Sequence, residues 1–224
     1  MSFFLLFFGE LALLFFLSSQ ITQRISGFLL KVTKNQSTSI AILAFFFFPG
    51  VVIHELAHFI IATLLFVRTG DIEFVPKIEG DRVKLGSVQI AKTDPFRRAL
   101  IGVAPVLVGL FLICELILFF IPSFSIETLF HIPIWGHVVL LYVIFQISNT
   151  MFSSKKDMEG SIELVITLVV LFVISQTLGI KFPIEKIQQI GLFIIPIIQK
   201  ADFLLLIPLS IDTLLFLLLR LLSS

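Results

Sequence analysis

His54-Glu55-Leu56-Ala57-His58 sets two histidines four residues apart, with a glutamate directly after the first. On a helix that spacing puts both imidazoles on one face, where they can bind a single zinc ion. The glutamate sits beside the metal as a general base, so the chemistry this pattern suits is hydrolysis by metal-activated water. The surrounding sequence, AILAFFFFPGVVIHELAHFIIATLLF, is almost wholly apolar apart from those three side chains. Ionisable groups in such a run are costly, and their location implies hydrolysis performed within a membrane.

The elements that must position these residues follow from composition. The chain has 224 residues, 58% hydrophobic and 14% charged, with a mean hydropathy of +1.10. No water-soluble domain of this size buries that much apolar surface, so the expected class is an all-α polytopic membrane protein. A net charge of +1 without a basic cluster gives no sign of a nucleic-acid partner. The single cysteine, Cys114, excludes a disulfide framework and a cysteine-based metal site. The N-terminal stretch MSFFLLFFGELALLFFLSS lacks a positive n-region and contains Glu10, so it reads as a retained helix rather than a signal peptide.

Apolar stretches at 3–19, 38–67, 97–121, 133–149, 160–180 and 202–222 predict about six transmembrane helices. A shorter stretch at 187–199, containing Pro196, reads as interfacial or re-entrant. The expectation is one integral-membrane domain over 1–224, with no separate soluble domain.

The sizeable polar segment is 68–98. Ile72–Ile78 and Val83–Ala91 predict two short strands joined around Glu79-Gly80-Asp81, with Gly86 as a bulge. Thr93 or Asp94 then caps a helix whose first turn holds Pro95. The segment reads either as a surface hairpin or as an edge strand that binds an extended substrate by β-augmentation.

Counting crossings puts the 148–160 loop on the same face as the hairpin and nearer His58 than Thr38. Asp157 and Glu159 in that loop are therefore the candidates for a third zinc ligand, at a helix N-terminus that favours a carboxylate. His131 and His137 belong to the opposite face, where they read as interfacial residues beside Trp135. Segments 68–98 and 148–160 carry nine lysines and arginines, against Arg24, Lys31, Lys34, Lys181, Lys186 and Lys200 opposite. The positive-inside rule then makes the face nearer the site cytoplasmic. The expected location is a multi-pass position in a lipid bilayer, a cell membrane of prokaryotic type.

Several of these features resemble the site-2 protease family of intramembrane zinc metalloproteases. HELAH lies in a transmembrane helix and is followed by a hairpin-forming polar segment. TDPFRRALIGVAPVLVG resembles the family's segment in which a proline and basic residues lead into a helix containing Ala-Gly-Pro. Asn149 precedes Asp157 by eight residues, the spacing of the family's Asn-x-x-Pro-x-x-x-Leu-Asp-Gly motif. The chain departs from that motif at Phe152, Lys156 and Met158, which stand in place of its proline, leucine and final glycine.

The resemblance covers about 38–165. It implies one Zn2+ held by His54, His58 and Asp157, with Glu55 as base and Asn149 positioning substrate backbone. It also implies membrane-protein substrates with transmembrane helices as partners. Read without it, Asn149 is equally a helix-terminal cap. Pro49-Gly50 reads as a kink that opens a cavity or as ordinary packing. Gly102, Ala104, Pro105 and Gly109 read as a small-residue packing surface. Glu10 and Glu115 are intramembrane acids and functional candidates. The alternatives are a membrane metalloprotease of another clan, with Glu163 as third ligand, and a non-proteolytic zinc-binding transporter or scaffold.

Overall fold

A computed structural model describes residues 2–79, 82–121, 133–152, 166–167, 169–170, 173–178 and 184–222. Its main helices are α1 (Ser2–Thr33), α2 (Gln36–Leu64), α3 (Pro95–Phe120), α4 (Ile134–Thr150) and α5 (Ile184–Leu222). Between α2 and α3 lie four short strands: β1 (Thr69–Glu73), β2 (Lys77–Glu79), β3 (Arg82–Lys84) and β4 (Ser87–Ile90). Stretches within α1, α2, α3 and α5 are long and apolar enough to cross a membrane, and α4 is a shorter apolar helix. The chain is thus an all-α membrane protein with a small β element. Outward residues such as Leu5, Phe45 and Phe119 are exposed, as apolar positions facing lipid should be.

Two helices differ from expectation. The first helix runs on through polar residues to Thr33, because those residues find partners inside the bundle. Ser18 Oγ donates to the Asn149 carbonyl at 2.8 Å, and the Arg24 guanidinium lies 5.0 Å from the centre of the Phe216 ring. Lys34, at φ 52°, then turns the chain, and Asn35 caps α2 by accepting from the Thr38 amide at 3.2 Å. The stretch 187–199 is not a separate re-entrant piece; it is the first part of α5, which continues through Pro196 and Pro208. The expected span at 160–180 falls largely outside the described residues.

The hairpin exists, but as two ladders. β1 pairs antiparallel with β4 (Ile72 opposite Val88, Glu73 opposite Ser87), and β2 pairs with β3 (Ile78 opposite Val83). The break between them contains Gly86. The entry to this element is fixed by a Schellman cap on α2. Phe66 adopts φ 57°, its amide donates to the Thr63 carbonyl at 3.0 Å, and the Val67 amide donates to Ala62 at 2.9 Å. Val67 and Ala62 then share a small core with Ile101, flanked by Ile61, Leu65 and Ile90. That cluster ties the end of α2, strand β4 and the start of α3 together. At the exit, Asp94 caps α3 ahead of Pro95, accepting from the Arg97 amide at 3.0 Å.

The larger core joins all five helices through residues such as Leu14, Phe47, Ile113, Ile144 and Leu205. Two glycines set its closest approaches. A Cβ on Gly50 would lie 2.6 Å from Thr150 Oγ1 and 2.7 Å from the Gln146 carbonyl, and one on Gly109 would lie 2.9 Å from Met151 Cβ. The Phe46 carbonyl, three residues before Pro49, accepts from Tyr142 Oη at 2.9 Å and Gln146 Nε2 at 2.8 Å. Pro49-Gly50 therefore lies at an α2–α4 packing contact, where neighbouring side chains add hydrogen bonds to the α2 backbone.

Candidate functional site

The short α4 shapes the site. It ends at Thr150 against Gly50, so α2 runs on for about 21 Å beyond that level at 1.5 Å per residue. His54, Glu55 and His58 lie on this overhang, flanked by α3 and the hairpin. His54 sits about 15 Å from the Leu64 end of α2 and about 27 Å from the Gln36 end. All three are buried, at 4%, 6% and 4% exposure.

The two imidazoles converge. His54 Nε2 and His58 Nε2 are 3.2 Å apart, and the rings meet edge to face. His58 Nδ1 is 2.8 Å from the Ile101 carbonyl. A carbonyl cannot donate, so Nδ1 carries the proton and Nε2 of neutral His58 presents a lone pair. Two nitrogens bound to one tetrahedral zinc at 2.0–2.1 Å lie about 3.3–3.4 Å apart, close to the separation observed. Bonding the second ring nitrogen to a carbonyl is how metal-ligating histidines are oriented. The pair therefore fits two of the ligands of a zinc ion. Among the described residues no group of three or more His, Cys, Asp and Glu is placed to hold a metal; Asp157 and Glu159 lie outside them, as do His131 and Glu163.

The hairpin reaches the glutamate. A Cβ on Gly86 would lie 3.0 Å from Glu55 Cγ, 3.1 Å from Glu55 Oε1 and 2.7 Å from Val51 Cγ1. Gly86 is buried there, so the chain between the two ladders passes directly over Glu55. Sequence patterning marks Gly86 as a bulge; its contact with Glu55 is a tertiary fact.

Asn149 is near the end of α4, and its amide nitrogen donates to Asp212 Oδ1 at 2.8 Å and to the Phe145 carbonyl at 3.0 Å. Ser148 Oγ is 3.5 Å from Asp212 Oδ2. Asn149 Oδ1 is buried and accepts no hydrogen bond from the described residues. Asp212, fully buried on α5, is the residue that sequence reading missed. Its only sequence signal is an acid in an apolar run, the same signal that singled out Glu10 and Glu115. Glu10 on α1 is buried, as is Asp202 on α5, which that reading also passed over. Glu115 is exposed on α3. His137 is half-buried, with Nδ1 3.3 Å from the Pro133 carbonyl, at the end of α4 away from the site.

Comparison with protein-family models, with curated proteins and with solved structures returns no match to this chain. The functional reading therefore rests on the residues themselves.

Proposed function

We propose that this protein is an intramembrane zinc metalloendopeptidase that hydrolyses peptide bonds within or near transmembrane segments of other membrane proteins. The observation that carries the reading is the buried pair of Nε2 atoms at 3.2 Å, with His58 Nδ1 bonded to a backbone carbonyl and Glu55 adjacent. His54, His58 and Asp157 are the residues assigned to hold the metal. Phe152, edge-on to Phe15 at 5.7 Å, is followed by five residues to Asp157. Such a stretch extends up to about 17 Å, while Gly50 at the α4 contact is one helical turn from His54.

A zinc ion held by these residues would supply a Lewis acid and a water acidified towards neutral pH. Glu55, next to the pair, would be the base that takes a proton from the attacking water as the water oxygen bonds to the peptide carbonyl carbon. The C–N bond then breaks, and Glu55 returns the proton to the departing amine. Asn149 is the residue we assign to positioning the substrate backbone. A helical substrate must unwind before cleavage, because its carbonyls are already bonded. The open strand edges beside Gly86 provide backbone partners for the unwound stretch. The face nearer the site is assigned to the cytoplasm of a cell with a prokaryotic-type membrane.

The test is reconstitution of wild-type and Glu55→Gln protein with zinc and a transmembrane reporter substrate. The wild type should cleave and the variant should not, at equal zinc content. Equal cleavage by both removes Glu55 from the chemistry.

A further inference from the structure

The partner of His58 is an unusual carbonyl. In a helix the carbonyl of residue 101 accepts from the amide of residue 105, four positions on. Residue 105 is proline, which has no amide hydrogen, so this helical bond cannot form. The vacated carbonyl of Ile101 is the one that lies 2.8 Å from His58 Nδ1. The core of Ala62, Val67 and Ile101 holds the two helices at that spacing. Ala104 and Pro105 are themselves buried on α3.

We propose that Pro105 is a positioning residue for the candidate metal site. By withholding a helical N–H it reserves the Ile101 carbonyl for His58, fixing the proton on Nδ1 and the lone pair on Nε2, facing His54. An ordinary residue at 105 supplies an amide that competes for the same carbonyl. His58 then loses a fixed tautomer and a fixed ring orientation. The zinc consequence rests on the function proposed above, whereas the tautomer consequence stands without it.

The experiment compares wild type with Pro105→Ala, using Pro196→Ala, on an exposed turn of α5, as control. Both substitutions restore a helical amide, and alanine is the best helix former. Ring-nitrogen NMR is tractable because the chain has four histidines. In metal-free protein, wild-type His58 should be a single Nδ1-protonated tautomer. Pro105→Ala should show a mixture, and Pro196→Ala should match wild type. With zinc alone as probe in a chelator competition, Pro105→Ala should bind about tenfold or more weakly, the scale of other partners of metal-bound histidines. Its melting temperature should stay level or rise. A purely structural proline predicts the opposite, with affinity and stability falling together. An unchanged His58 tautomer in Pro105→Ala overturns the proposal. If wild type binds no zinc but the tautomer shifts as described, the metalloprotease reading fails while the role of Pro105 stands.

Discussion

Adding one methyl group at Gly86 should disable the site without touching a ligand. A Cβ there meets Val51 Cγ1 at 2.7 Å and Glu55 Cγ at 3.0 Å. Carbon atoms prefer about 3.5–4.0 Å, so either the hairpin retreats by about 1 Å or Val51 gives by about that much and Glu55 by about half as much. Gly86 does not hold a left-handed backbone conformation, so the effect of alanine is contact rather than strain. Overpacking of this kind costs about 1–3 kcal/mol, and a displacement of about 1 Å at a catalytic group costs about 10²-fold in rate. Gly86→Ala should therefore lower kcat/KM on a reconstituted transmembrane reporter by about that factor, and Gly86→Val by more. Zinc content should stay at the wild-type level, because the three atoms nearest the new methyl belong to Val51 and Glu55 and not to either histidine. The assay pairs reporter cleavage with metal stoichiometry on the same preparation. Full activity in both variants, or a loss that tracks loss of zinc, refutes the placement of the hairpin over Glu55.

Other outcomes follow from the same contacts. Asp157→Asn should release zinc while Glu159→Gln retains it; metal analysis showing the reverse would make Glu159 the third ligand. Asp212→Ala removes the 2.8 Å acceptor of the buried Asn149 amide, and should lower stability by about 1–3 kcal/mol, read as a drop in melting temperature in detergent. Gly50→Val forces atoms against Thr150 and the Gln146 backbone, so it should also lower the melting temperature, with Gly27→Val, in open space, as the comparison. The Arg97 amide, aided by the Arg97 side chain 3.2 Å away, holds the Asp94 carboxyl below its ordinary 3.8. Its folded pKa lies below its unfolded one, so its contribution is present above the unfolded pKa and lost as pH falls through the folded value. Asp94→Asn, which keeps a capping oxygen, should flatten that acid-side decline in melting temperature.

What the sequence reveals about the site is governed by distance along the chain. His54, Glu55 and His58 are legible because helical periodicity alone places them on neighbouring faces of α2. The Asp94 cap and Pro95 are legible for the same local reason. Gly86 is legible as an irregularity between strands, but its contact with Val51 and Glu55, thirty residues or so away, is not. The junction of Ser18, Asn149 and Asp212 joins three helices distant in sequence, so no periodicity announces it; only the presence of an acid in an apolar run hints at Asp212. Pro105 is half legible. The missing amide bond follows from residue type, but its use by His58 depends on how α2 crosses α3. The resemblance in HELAH and in the Asn149–Asp157 spacing supplies an expectation for the third ligand that the described residues do not reach.

The proposed activity requires the two buried imidazoles to hold a metal. The direct measurement is zinc stoichiometry and affinity of purified wild type beside His54→Ala, His58→Ala and Glu55→Gln. One tightly held zinc per chain is expected in wild type and Glu55→Gln, with loss in both histidine variants. Zinc that survives removal of both histidines, or a wild type that binds none, contradicts it.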